Sequence, residues 1–198
     1  MALRNAMSLL SLCLLLGASH AACAQSEIPK SFTRTTTEFD HERREVMIPM
    51  RDGVTLHAVV VIPKGARNAP IILTRTPYGA DKPTSQSGSP RAVMSLPLAD
   101  ESLIDAGYIR VYQDVRGRYG SQGEYVMNLP LRGSLNARNV DQSTDTYDSI
   151  DWLVKNVPET NGNVGITGSS YVGFTALVAT INPHPALKAS VPQSPRVD

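Results

Sequence analysis

The feature that most constrains this sequence is the hexapeptide Gly-Ser-Ser-Tyr-Val-Gly at residues 168–173, which separates two short apolar segments. Residues 164–167 before it contain valine, isoleucine and threonine, a composition typical of a short buried strand. Residues 174–181 after it are mostly apolar and are typical of a buried helix. Glycines at both ends permit a sharp turn and a close backbone approach. The hexapeptide therefore predicts a tight turn from a buried strand into a buried helix, with a serine at the turn.

Strand-like and helix-like segments alternate through the rest of the chain. The sequence predicts strands at residues 45–50, 54–63, 70–75, 108–114 and 187–192, and helices at residues 95–106 and 143–156. An Asp-Gly pair between the first two strands indicates a hairpin turn, and Thr144 and Asp145 are expected to cap the second helix. This order predicts an α/β domain: a mostly parallel sheet with flanking helices and an antiparallel β-hairpin at its N-terminal edge.

The first residues have the pattern of a secretory signal peptide. Arg4 precedes an apolar stretch at residues 7–18, and Ala-Cys-Ala at residues 22–24 predicts cleavage before Gln25. An uncleaved anchor is the alternative, but the apolar stretch is short for a bilayer span, and His20 argues against lipidation at Cys23. We therefore expect a signal peptide at residues 1–24, a polar arm at 25–44 and a partial catalytic domain at 45–198. A periplasmic or secreted bacterial protein, with no stable membrane anchor after cleavage, is expected.

Composition narrows the chemistry further. The chain has 198 residues, 19% of them charged, and a formal net charge of +1, which gives no electrostatic reason to expect a nucleic-acid partner. Both cysteines, Cys13 and Cys23, lie in the leader, so disulfides and cysteine catalysis are not expected in the mature chain. The histidines have no metal-ligand spacing, and we expect neither a metal nor a cofactor. They stand at positions 20, 41, 57 and 184.

Ser170 is the candidate catalytic residue of the hexapeptide. A serine on a turn between a strand and a helix is the nucleophile elbow of α/β-hydrolases. Ser170 has a glycine two positions before it, whereas Ser169 has Thr167 there. The spacing has one residue more than the usual Gly-x-Ser-x-Gly, and a Gly/Ser turn before an apolar helix can also be purely structural.

Three further motifs precede this turn. They are Arg-Thr-Pro-Tyr-Gly at residues 75–79, Asp-Val-Arg-Gly-Arg-Tyr-Gly-Ser-Gln-Gly at 114–123, and Asp-Thr-Tyr-Asp-Ser-Ile-Asp-Trp-Leu at 145–153. With these four motifs in this order, the sequence resembles the Xaa-Pro dipeptidyl-peptidase-like (peptidase S15) superfamily of α/β-hydrolases, and within it the α-amino acid ester hydrolases. The resemblance runs from about Glu45 to Asp198 and implies the N-terminal half of an α/β-hydrolase fold, truncated in this chain.

The resemblance also implies roles for individual residues. Ser170 would be the nucleophile that forms an acyl-enzyme with an ester, an amide or a short peptide. The backbone N–H of Tyr171 and the hydroxyl of Tyr78 would be the two oxyanion donors. Tyr78 could instead be an ordinary tyrosine at the rim of a Pro-Tyr-Gly turn.

Several carboxylates could be catalytic or architectural. Asp114 could pair with Arg116 or cap a turn, and architectural roles of this kind are the more common ones. Asp145, Asp148 and Asp151 recur every three residues, so they could bind a metal ion or simply favour the positive end of a helix.

The general base and the acid of a triad are not evident. In the family they lie well beyond the serine, whereas His184 stands between prolines in a predicted loop and Asp198 is the last residue. Two hypotheses remain open. The chain is the N-terminal part of a serine hydrolase and is inactive alone, or it is itself a product without catalysis and with at most residual ligand binding.

Overall fold

A computed structural model of the chain describes residues 38–196. The predicted signal peptide, most of the predicted arm and Asp198 lie outside the described residues. The first strand begins at His41, so residues 41–44 belong to the sheet rather than to the predicted arm. Their backbone pairs with the end of the second strand, for example His41 with Pro63, which explains the earlier start.

Six strands form one mixed sheet with the order β1-β2-β4-β3-β5-β6. Pairing is antiparallel for β1–β2 and β2–β4, and parallel for β4–β3, β3–β5 and β5–β6. The strands are β1 (His41–Pro49), β2 (Thr55–Pro63), β3 (Ala69–Thr76), β4 (Ile109–Asp114), β5 (Thr160–Ser169) and β6 (Leu187–Gln193). The predicted α/β class and the antiparallel hairpin at the N-terminal side are confirmed.

Four α-helices connect or flank these strands in the described part of the chain. They are α1 (Ala92–Ser95), α2 (Glu101–Asp105), α3 (Gln142–Asn156) and α4 (Tyr171–Val178), with short 3₁₀ turns at Lys82–Thr84 and Leu98–Asp100. None of the described helices is long and apolar enough to cross a bilayer.

The single helix predicted at residues 95–106 was wrong. The segment is broken into α1, a 3₁₀ turn and α2. Pro97 explains the break, because proline forces the preceding residue away from helical geometry. Leu96 accordingly has an extended backbone with φ of −101° and ψ of 165°.

Helix α3 begins with a capping box one turn earlier than its predicted caps. The Asp141 carboxylate accepts from the Thr144 N–H at 2.8 Å, and the Thr144 hydroxyl accepts from the Asp141 N–H at 2.8 Å. Thr144 therefore takes part in the cap, whereas Asp145 lies in the first turn and faces the interior.

The main core lies between the sheet and helices α3 and α4. It is built from aliphatic side chains of the central strands and both helices, including Leu73, Val111, Ile150, Leu153 and Ile166. A smaller cluster of Val59, Val61, Leu96 and Tyr112 covers the other face. Strand β2 contributes to both clusters, as its nearly continuous apolar sequence predicted.

Candidate active site

Ser170 lies between strand β5 and helix α4, at the carboxyl end of a parallel strand. Its backbone has φ of 60° and ψ of −122°, a conformation that a residue with a side chain adopts only at a cost in strain. The Ser170 N–H donates to the Gln193 carbonyl at 3.0 Å, and the Ser170 carbonyl accepts from the Phe174 N–H at 2.9 Å. These bonds to β6 and α4 hold the strained turn in place. The predicted tight turn from strand into helix is confirmed.

Close packing requires both glycines of the hexapeptide. A Cβ added at Gly168 would lie 2.1 Å from the Val172 Cγ1 atom, and one added at Gly173 would lie 2.4 Å from the Gln193 carbonyl oxygen. Both distances are far below a normal van der Waals contact. The first glycine therefore lets the strand turn sharply, and the second lets α4 approach β6.

Two polar groups at this turn have no hydrogen-bond partner among the described residues. They are the Ser170 hydroxyl, which is on an exposed residue, and the Tyr171 N–H at the first position of α4. The first N–H groups of a helix have no intrahelical acceptor and carry partial positive charge. An exposed hydroxyl beside a free N–H is the arrangement needed to bind a carbonyl and stabilise an oxyanion.

Tyr78 lies at the same edge of the sheet, because it follows β3, the parallel neighbour of β5. Its loop is held at three points: the Tyr78 N–H donates to the Thr76 hydroxyl at 3.0 Å, the Ala80 N–H donates to Asp114 at 2.7 Å, and the Arg118 guanidinium donates to the Pro77 carbonyl at 3.2 Å. The Tyr78 residue itself is 55% exposed. A side chain on an anchored loop that remains open to solvent can meet a ligand with little reorganisation.

The phenol of Tyr171 was not anticipated as part of this region. Its residue is only 4% exposed, and the hydroxyl has no hydrogen bond within the described residues. Its ring contacts Phe174 edge-on, at a centroid distance of 5.9 Å, and Tyr125 lies at 6.4 Å. Burial raises the pKa of the Tyr171 phenol, and nearby Tyr125 adds to the increase. Tyr78 makes a smaller contribution in the same direction.

A buried ionic cluster lies behind the turn. The Arg75 guanidinium is fully buried and donates to the Gln113, Gln142 and Thr146 side chains at 2.7, 3.0 and 2.8 Å. Burial lowers the pKa of Arg75, and Asp145, 3.7 Å away, opposes that shift. This cluster anchors the end of β3 to α3. A buried arginine in a strand was the feature that hydrophobic patterning could not reveal.

Of the two alternatives for Asp114, the ion pair with Arg116 does not form. Asp114 instead accepts from the Ala80 and Gly120 N–H groups, so the turn-capping alternative is the one observed. Arg116 bonds Asp145 at 2.7 Å and Asp52 at 2.8 Å.

The three aspartates of α3 do not form a metal site. Each has a basic partner of its own: Asp145 bonds Arg116, Asp148 bonds Arg51 at 2.7 Å, and Asp151 bonds Lys155 at 2.7 Å. Only Asp145 lies in the first turn of α3, so proximity to the positive end of the helix applies to that residue alone, and ion pairs account for the other two.

None of the described histidines is hydrogen-bonded to Ser170. The His41 ring pairs with Asp40 at 2.8 Å, the His57 ring with Asp114 at 2.9 Å, and His184 lies 3.4 Å from Asp151. His184 also accepts from the Ala186 N–H at 3.0 Å, in the loop where the sequence placed it. The described residues therefore place an exposed serine beside a free backbone N–H, but they supply no hydrogen-bonded general base.

The sequence profile of the X-Pro dipeptidyl-peptidase (S15) family matches residues 52–198, which is most of the chain. The chain belongs to the S15 family. Cocaine esterase from Rhodococcus sp. (strain MB1 Bresler) is a relative with 33% identity over 153 residues, which are 77% of this chain and 23% of that protein.

Two solved structures of similar chains agree with the fold. A structure of an α-amino acid ester hydrolase has 56% sequence identity and a TM-score of 0.80, and the match covers 89% of this chain and 29% of that one. An aminopeptidase from a marine sediment archaeon, Thaumarchaeota archaeon, also has 56% identity and a TM-score of 0.80, with 88% and 29% covered. The chain thus spans less than a third of the length of these relatives and forms part of an α/β-hydrolase-like fold.

Proposed function

We propose that this S15 chain carries the nucleophilic half of a serine hydrolase site. The observation that carries the proposal is the strained backbone of Ser170, with φ of 60°, next to the free N–H of Tyr171. A strained serine at a strand-to-helix turn is the geometry that presents a hydroxyl to a substrate carbonyl.

The reaction would be acyl transfer through Ser170. The Ser170 oxygen attacks the carbonyl carbon of an ester or amide, and the negative charge on the carbonyl oxygen is stabilised by the Tyr171 N–H and the Tyr78 hydroxyl. The alcohol or amine leaves with a proton, and water then attacks the acyl-enzyme, which releases the carboxylic acid and restores the Ser170 hydroxyl. The base that takes the Ser170 proton, and the acid that orients that base, would lie outside residues 38–196.

The proposed substrates are small esters or amides, or short peptides, with an α-amino group next to the reacting carbonyl. Support comes from the two similar solved structures, an α-amino acid ester hydrolase and an aminopeptidase, whose names both describe cleavage at an α-amino acid. We further propose secretion to the periplasm or medium, as the leader sequence indicates. The alternative is a non-catalytic chain with at most residual ligand binding. Its only support is that no described histidine is hydrogen-bonded to Ser170.

A chimera distinguishes the catalytic proposal from the non-catalytic alternative. Residues 38–196 replace the matching segment of the similar α-amino acid ester hydrolase, and hydrolysis of an α-amino acid methyl ester is measured. We expect activity that is lost by at least about 1,000-fold in Ser170→Ala, as for a removed nucleophile, and retained in the neighbouring Ser169→Ala. An N-acetylated ester should react more slowly. A folded but inactive chimera, or Ser170→Ala activity equal to the parent chimera, would refute the proposal.

A further inference from the structure

Three side chains of types that can bind a metal ion lie close together at the β1–β2 end of the sheet. Glu45 lies on β1, His57 on β2, and Asp81 in the loop after β3. One ligand atom from each of these residues lies within 4.8 Å of the others. They are distant in sequence, so spacing rules for metal motifs did not reveal them.

The His57 ring is held in a fixed orientation. Its Nδ1 lies 2.9 Å from the Asp114 carboxylate, and Asp114 is fully buried. Gly120 packs directly against the ring, since a Cβ there would lie 2.7 Å from the His57 Cγ. Because a carboxylate can only accept, it selects the tautomer with a proton on Nδ1 and a lone pair on Nε2. A carboxylate behind the second nitrogen is the usual support of a metal-bound histidine.

The free nitrogen of His57 points toward the two other ligands. The residue is only 8% exposed, and its Nε2 makes no hydrogen bond within the described residues. Its distance to the Glu45 Oε2 atom is 3.9 Å, too long for a hydrogen bond. In a tetrahedral zinc site, two bonds of about 2 Å place their ligand atoms about 3.3 Å apart, so the exposed Glu45 side chain would need to move only slightly toward His57.

Arg43 competes for the same carboxylates. Its guanidinium donates to one oxygen of Glu45 at 2.5 Å and to one oxygen of Asp81 at 2.6 Å. Each carboxylate keeps a second oxygen, and the carboxylates of Glu45, Asp81 and Asp114 outnumber the single guanidinium. The local charge therefore still favours a divalent cation.

We propose that Glu45, His57 and Asp81 form a binding site for a divalent transition-metal ion of the zinc type. One imidazole and two carboxylates suit Zn²⁺, with water in the remaining position. Glu45 and Asp81 are exposed, so an ion can reach these ligands from solvent. The ion would connect β1, β2 and the loop after β3 that contains Tyr78, and so would stabilise the sheet edge that supports that loop.

The test is Zn²⁺ binding to the tag-free chain after treatment with a chelator, measured by isothermal titration calorimetry. Co²⁺ absorption provides a second reading of inner-shell ligands. We expect one ion per chain, and a loss of affinity of about 10- to 100-fold or more in Glu45→Gln, Asp81→Asn and His57→Gln. Glu45 and Asp81 are exposed, so their variants decide the result if His57→Gln fails to fold. Arg43→Gln should bind Zn²⁺ more tightly, because it removes the competing cation.

The matched controls are His184→Gln, His41→Gln and Asp148→Asn, which remove the same group types elsewhere. They should bind Zn²⁺ as the parent chain does. The proposal is overturned if the parent chain binds no ion, if Glu45→Gln and Asp81→Asn bind normally, or if the control variants lose affinity to the same extent.

Discussion

The hydroxyl of Thr175 on helix α4 lies 3.0 Å from the carbonyl oxygen of Arg75 at the end of strand β3. The same hydroxyl is 2.8 Å from the Val172 carbonyl, so its single proton serves these two acceptors. Thr175 is fully buried. This contact joins the helix that begins beside Ser170 to the strand that leads to Tyr78. The two proposed parts of the oxyanion site are therefore fixed relative to each other by a buried hydrogen bond.

Thr175→Val should destabilise the chain while keeping the shape of the side chain. We expect the free energy of unfolding to fall by about 1–3 kcal/mol, because the buried Arg75 carbonyl is left without its Thr175 hydroxyl donor. Urea unfolding followed by the fluorescence of Trp152 measures this loss. Thr180→Val is the control, because its hydroxyl bonds only the Leu177 carbonyl in an exposed turn. Equal effects of the two substitutions would contradict the tertiary role of Thr175.

Gly173→Ala should destabilise the contact between α4 and β6. The added Cβ would lie 2.4 Å from the Gln193 carbonyl and 3.2 Å from the Gly168 carbonyl, both rigid backbone atoms. We expect the free energy of unfolding, measured in urea, to fall by about 1–3 kcal/mol or more, as it does when a packed site is overfilled. Gly88→Ala is the matched control, because no atom lies within 4 Å of its added Cβ. A neutral Gly173→Ala would show that the close approach is not required.

Asp145→Asn should be far more damaging than Asp148→Asn on the same helix. Asp145 is 1% exposed and bonds the buried Arg116, so its neutralisation leaves a buried cation poorly paired. We expect a loss of about 3–5 kcal/mol, as for other broken buried ion pairs. The Asp148–Arg51 pair is more exposed, and its loss should cost about 1 kcal/mol or less. Chemical denaturation measures the stability of both variants. Similar denaturation midpoints for Asp145→Asn and Asp148→Asn would contradict this expectation.

Acid stability should depend on Glu159. Its hydrogen bonds from Arg44, at 2.6 and 3.1 Å, lower the pKa of the Glu159 carboxyl below the ordinary value of 4.5. A lowered folded-state pKa adds stability above the unfolded value, and this stability is lost as the pH falls below 4.5. Glu159→Gln should therefore reduce the drop in melting temperature on acidification below pH 4.5.

Arg44→Gln should also reduce the drop in melting temperature on acidification. Combining it with Glu159→Gln should reduce the drop little further. A double variant whose acid response equals the sum of the two single effects would mean that Glu159 and Arg44 act separately.

Local patterns were sufficient to predict most strands, helix α3 and the turn at Ser170. Apolar runs, the Asp-Gly hairpin signal and the two glycines of the hexapeptide each act over a few residues. The segment around Pro97 shows where local patterns fail. Its apolar residues predicted one helix, but the proline prevents helical geometry at Leu96 and divides the segment.

Interactions between distant residues could not be predicted in this way. Asp114 ends strand β4 two positions before Arg116, yet it bonds the Ala80 N–H in the loop after β3 and the His57 ring on β2. Arg75 stands in an apolar strand, and only the folded sheet reveals that polar side chains from β4 and α3 surround it. Sequence spacing carries no information about such contacts.

Fluorophosphonate labelling tests most directly whether Ser170 is a nucleophile whose base lies outside residues 38–196. We expect strong labelling of the chimera, lost in Ser170→Ala and retained in Ser169→Ala, and only background labelling of the 198-residue chain by itself. Labelling of the chimera that survives Ser170→Ala, or Ser170-dependent labelling of the chain alone as strong as that of the chimera, would contradict it.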